Sequence, residues 1–130
     1  MSAAGQGGVE PELAAFIEAA VPSVWALEAL IVLKRDPKIA WATDDLVTEM
    51  RASTTLVADC VRVLQRAGLV IEQSGSVQYA PASPALAALA DALQDAYRQR
   101  PVAIVKMITA RRTDPLKGFA DSFRLGGWKG

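Results

Sequence analysis

Apolar residues recur at helical spacing through most of this chain and at strand spacing in one short stretch. Leu13, Phe16, Ile17 and Ala20 give one apolar face to a helix from Pro11 to Ala20. Pro11 suits its first turn, and Glu12 suits the positive end of its dipole. Pro22 interrupts the run and Ser23 is a cap for the next helix, which ends near Arg35. That segment is apolar nearly all round (Val24, Trp25, Leu27, Leu30, Ile31, Leu33), as a central helix is. Trp25 is read as a core residue, the alternative being a dimer contact. Lys34, Arg35 and Lys38 follow at the negative end of its dipole. Ile39 and Trp41 then form a candidate short strand.

The middle of the chain is the most structured part of the pattern. Thr43 is read as the N-cap of a helix carrying Leu46, Val47 and Met50, with Asp44 and Asp45 at its positive end. Ser53 caps a second helix, Ser53–Ala67. In it Val57, Cys60, Val61 and Leu64 make one buried stripe, while Thr54, Thr55, Ala58, Asp59, Arg62 and Gln65 fall mostly on the other side. Gly68 sits where a helix ends in the left-handed conformation. Leu69-Val70-Ile71, a Ser74-Gly75-Ser76 turn and Val77-Gln78-Tyr79 then predict a β-hairpin over 70–79.

Helices return after Pro81. Ser83 and Pro84 start ALAALADALQDAYRQR, in which Leu86, Leu89, Leu93 and Tyr97 form a coiled-coil-like stripe beside Ala90 and Ala96. Such a seam is a candidate homodimer interface, the alternative being that it packs on the first helix of its own chain. Pro101 restarts or kinks the helix as VAIVKMITARR, with either Val102, Val105 and Ile108 or Ile104 and Ile108 as its apolar edge. Thr113-Asp114-Pro115 breaks it again. In the last segment Leu116, Phe119, Ala120 and Phe123 line one side of a short basic amphipathic piece. The domain reading is a disordered lead over 1–10, a core unit over 11–81, C-terminal helices over 82–112 and the tail over 113–130.

The segment LQRAGLVIEQSGSVQYAP resembles the end of the recognition helix and the wing of the MarR-like winged helix-turn-helix superfamily of bacterial transcription regulators. The resemblance runs from near Val21 to Pro81. It implies a mainly α fold with a small β-hairpin wing (α+β), here with added N- and C-terminal helices. It also implies that the second helix enters the major groove of double-stranded DNA while the hairpin tip meets the neighbouring backbone. Matched by position, Thr54, Thr55, Ala58, Asp59 and Arg62 would face bases, and Gln73, Ser74 and Ser76 would reach the backbone. This wing holds no Lys or Arg, a departure from the family's habit.

Composition narrows the remaining choices. The 130 residues suit one domain, and no apolar run approaches the roughly 20 residues that span a bilayer. The start lacks the pattern of a signal peptide, so a cytoplasmic location is expected, with no membrane partner. One Cys and no His leave no disulfide and none of the usual zinc sets. Cys60 lies on a buried stripe, Ser74-Gly75-Ser76 is a turn, and no phosphate or dinucleotide glycine motif occurs, so neither an enzyme nor a cofactor is expected. Net charge is zero, yet residues 1–97 hold 6 Lys/Arg against 12 Asp/Glu, and residues 98–130 hold 8 against 2. Affinity for anions is therefore concentrated in the last quarter.

Two functions fit this pattern. In the first, the protein is a dimeric DNA-binding regulator whose contacts come from Arg51, Ser53, Thr54, Thr55, Ala58, Arg62 and Arg66 with Gln73, Ser74 and Ser76, aided by Lys34, Arg35 and Lys38. In the second, the unit is a protein-interaction module, with the 116–123 tail as an interaction helix for a partner's groove.

Overall fold

A computed structural model describes residues 10–113, with side chains as far as Ala110. The lead over residues 1–9 and the tail over 114–130, including the 116–123 segment, lie outside the described residues. Six helices and three strands follow in the order α1 (Pro11–Ala20), α2 (Val24–Arg35), β1 (Trp41–Ala42), α3 (Thr43–Met50), α4 (Thr54–Arg66), β2 (Val70–Gln73), β3 (Ser76–Tyr79), α5 (Pro84–Gln99) and α6 (Pro101–Thr113). The fold is mainly α-helical with a small three-stranded antiparallel sheet, an α+β arrangement. No single helix among the described residues is long and apolar enough to cross a membrane.

Serine caps set three of the helix starts. Ser23 accepts from the Ala26 N–H, Ser53 from Leu56 and Ser83 from Leu86, each satisfying one free donor of a first turn. Thr43 departs from the expected role. Ala42 is the cap residue of α3, and Thr43 is its first helical residue. The Thr43 hydroxyl donates instead to the Gly75 carbonyl, because pairing of β1 with β3 brings the hairpin turn beside it.

The sheet order is β1-β3-β2. Trp41 lies opposite Val77 and Ala42 opposite Ser76, while Val70 to Gln73 run antiparallel to Tyr79 to Ser76. Ser74 and Gly75 both have positive φ, 49° and 82°, as the two-residue mirror-image hairpin turns require. Of the expected strand pair, Trp41 joins β1; Ile39 stays outside it, 48% exposed.

At the end of α4 the chain reverses through a Schellman motif. Leu69 donates to Leu64 O and Gly68 to Gln65 O, with Gly68 at φ 82°. Leu64 and Leu69, the apolar pair of that motif, are both fully buried. Ala80 and Ala82 then donate back to Leu69 O and Gly68 O, so the segment after β3 folds over the glycine and launches α5 there.

The core is one cluster. The stripe of α4 (Val57, Cys60, Val61, Leu64) packs on Leu27, Leu30 and Leu33 of α2 and Leu46 of α3. On the other side of α2, Ile104 and Ile108 of α6 are fully buried, which selects that pair over Val102, whose side chain is 65% exposed. Trp25 is corrected by the structure: it is 43% exposed. An all-round apolar helix offers more apolar positions than its neighbours cover, and on α2 Trp25 is left out while Ala26 and Leu27 beside it are buried.

The α5 stripe also faces inward. Leu93 is fully buried in the core, Tyr97 donates to Glu28 on α2 at 3.0 Å, and Leu86 and Leu89 are half-buried against the same core. Leu93 thus packs inside its own chain. Lys34 of α2 adds a further tie to α5, 2.6 Å from Asp91 and 5.1 Å from the centroid of the Tyr79 ring.

Candidate nucleic-acid interface

Helix α4 buries one side and leaves the other in solvent. Arg51, Ser53, Thr54, Thr55, Ala58, Arg62 and Arg66 are all exposed, as are Gln73 and Ser74 at the hairpin end; Ser76 is half-buried. These residues come from three pieces of backbone. The turn before α4 carries Arg51 and Ser53, the helix carries the next five, and the tip of the hairpin carries the last three, Gln73 ending β2, Ser74 in the turn and Ser76 starting β3.

Spacing sorts the helix residues into two ridges. Thr55, Asp59, Arg62 and Arg66 follow at intervals of four, three and four, so they stack along the most outward line. Thr54, Ala58 and Gln65 form a second line on the side of the hairpin. Gln65 fastens the two parts together: its side-chain oxygen accepts from the Glu72 N–H of β2 at 2.6 Å. That bond uses an amide on the outer edge of the sheet, where β2 has no strand neighbour. It also holds the hairpin at a defined angle to the end of α4.

Several side chains are already engaged. The Ser53 hydroxyl is the α4 cap, and the Arg62 guanidinium lies 2.9 Å from Asp59 Oδ1. Of the basic stretch expected to aid them, Lys34 is tied to Asp91 and Arg35 to Glu49, while Lys38 is exposed. Arg51 closes α3 with φ 57° and ψ 44°, a left-handed conformation that fixes how its exposed side chain leaves the turn. The Asp59–Arg62 pair was not singled out in the sequence, although its i,i+3 spacing carries the signal.

Charge on this surface is modest. Arg51, Arg62 and Arg66 are opposed by Asp59 on the helix and Glu72 on the hairpin, and the hairpin contributes no cation. Beside α4, toward the start of α2, lies a groove of about 350 Å³ lined by Pro22, Trp25, Ala26, Leu56, Cys60 and Val63 with Asp59 at its rim. The Cys60 thiol at its base is pushed up to about 11, first by burial and then by the neighbouring Asp59 carboxylate, so it stays protonated at neutral pH. No protein-family model, curated protein or solved structure matches the chain.

Proposed function

We propose that residues 24–80 form a winged helix-turn-helix and that the protein binds double-stranded DNA as a transcription regulator. In this reading α4 lies in the major groove, and the β2–β3 turn meets the adjacent backbone. Support comes from the element order, helix, short strand, two helices and hairpin, with the short strand paired to the far strand of the hairpin. The observation that carries the reading is the outward side of α4: Thr54, Thr55, Ala58, Arg62 and Arg66 are exposed together beside an exposed hairpin turn. Hydroxyls and guanidinium groups on a helix face of this kind are donors and acceptors for base edges and phosphates.

The reading extends to a homodimer on a two-fold site, with equilibrium sedimentation at two protein concentrations as its check. DNA binding itself is tested by titrating random-sequence duplex at low and moderate salt. Log affinity falls against log salt with a slope of about −0.9 per phosphate contacted, and Arg62→Ala weakens binding. A second reading, a protein-interaction module, is favoured by the exposed Trp25 groove beside α4. Absence of duplex binding at low salt decides for it.

A further inference from the structure

We infer that the Asp59–Arg62 pair is the sequence-reading element of α4 and that it selects a G·C base pair. This rests on the DNA-binding reading above. A carboxylate on a face turned toward a polyanion is repelled by every phosphate. It is useful there only where it meets a hydrogen-bond donor. Three such donors can lie in the major groove: the N4 amino group of cytosine, the N6 amino group of adenine and the N–H groups of an arginine that is itself reading a base.

The geometry supplies the arginine, and a guanine read by that arginine brings the amino group of its paired cytosine within reach. Asp59 Oδ1 takes Arg62 Nη1 at 2.9 Å, which holds the guanidinium plane while leaving its other donors unused by that contact. A guanidinium so held offers a fork to the O6 and N7 acceptors of guanine. Three residues of helix rise about 4.5 Å, close to the 3.4 Å step between base pairs. The two side chains therefore address one base pair or two adjacent ones, guanine through Arg62 and, through Asp59, its paired cytosine or the amino group of a neighbouring cytosine or adenine. Ala58 and Thr55 flank the pair with methyl groups, which suit thymine on either side. Arg66 has no ion pair among the described residues and sits at the end of the helix, a phosphate contact without sequence content.

The test is a selection from a duplex library with a randomised centre against the full chain at low salt. It is followed by competition titrations with Asp59→Ala, Asp59→Asn, Arg62→Lys and Arg66→Ala. The selected duplexes share a G·C position whose replacement by A·T weakens wild-type binding about 10- to 100-fold. That penalty shrinks to a few-fold in the Asp59 variants and in Arg62→Lys, which cannot present a fork. Arg66→Ala weakens all duplexes alike and keeps the penalty. The inference is overturned if the selected duplexes share no G·C position. It is equally overturned if Asp59→Ala binds every duplex more tightly with the penalty intact, because Asp59 is then only repulsive. Failure of every duplex to bind refutes the DNA-binding reading itself, a distinct result.

Discussion

Gly75 accepts two hydrogen bonds from Thr43, one from the backbone N–H and one from the hydroxyl, each 3.1 Å long. The first turn of α3 is thereby fixed to the tip of the β2–β3 hairpin. Thr43→Val keeps the β-branched shape and the backbone bond and removes only the hydroxyl. The bond is exposed, so its loss costs about 0.5–1 kcal/mol of global stability in urea unfolding. The local effect is larger. Hydrogen exchange of the Ser76 and Val77 amides quickens, while that of α4 amides far from the turn stays unchanged.

The pairing of Tyr97 with Glu28 and the burial of Leu93 make α5 part of the single-chain core. Leu93→Ala removes a fully buried side chain and costs about 2–5 kcal/mol, depending on how far the site collapses. Tyr97→Phe leaves the Glu28 carboxylate without its donor and costs about 1 kcal/mol. Both losses, measured by denaturant unfolding, are independent of protein concentration. A loss that grew on dilution would put the stripe back at a subunit contact.

Alkaline pH weakens the fold in a defined window. Burial raises the Cys60 thiol from its ordinary 9.0 to about 11, with Asp59 adding to the rise. Burial also raises Tyr79, with Asp91 second, and raises Tyr97, followed by its hydrogen bond to Glu28. Each group becomes charged on losing its proton, and each folded value lies above the unfolded one. The unfolded chain therefore deprotonates first. The Cys60 contribution is complete below pH 9 and disappears as pH rises through about 11, a change of order 2 kcal/mol. Unfolding free energy measured from pH 7 to 11 falls above pH 9, and in Cys60→Ala the fall between 9 and 11 is shallower.

Much of this architecture is written locally. The α4 stripe, the Gly68 reversal and the Ser74-Gly75 turn depend on spacing and on residues with special backbone freedom, so periodicity and composition reveal them. The exposed side of α4 follows from the same spacing. Other features have no local signature. Lys34 and Asp91 are 57 positions apart and Tyr97 and Glu28 are 69 apart, so their pairing is decided only by where α5 comes to lie, packed on α1 and α6. That placement also turns the Leu86 to Tyr97 stripe inward. Thr43 looks like a cap because its chemistry suits one, but the nearer carbonyl of Gly75 takes its hydroxyl. Trp25 looks like core because aromatic residues at helical spacing usually are. Coverage, not spacing, decides burial, and at the start of α2 it reaches Ala26 and Leu27 but not Trp25.

Two glycines with the same backbone conformation separate strain from crowding. Gly68 and Gly75 both have φ 82°. A Cβ at Gly75 meets nothing within 4 Å, whereas at Gly68 it comes 3.2 Å from Leu86 Cδ1 and 3.5 Å from Ala82 Cβ. Gly75→Ala therefore costs the left-handed strain alone, about 1–2 kcal/mol, and Gly75→Asn recovers part of that. Gly68→Ala costs the same strain plus displacement of Leu86, and so exceeds Gly75→Ala in urea unfolding. Equal losses would show that Leu86 yields freely.

Arg51 separates stability from binding. It holds φ 57° without being glycine, a conformation that costs an L-residue roughly 1–2 kcal/mol. Glycine relieves that strain and returns about 0.5–1 kcal/mol of it through the greater freedom of the unfolded chain. Arg51→Gly therefore raises unfolding free energy by about 0.5 kcal/mol. The same change removes one of the few cations beside α4. Under the DNA-binding reading it lowers affinity for all duplexes alike and makes the salt slope shallower by about 0.9, the share of one phosphate contact. A more stable variant with an unchanged slope would place Arg51 away from the DNA backbone. The loss of affinity cannot be put down to unfolding, because stability and affinity move in opposite directions.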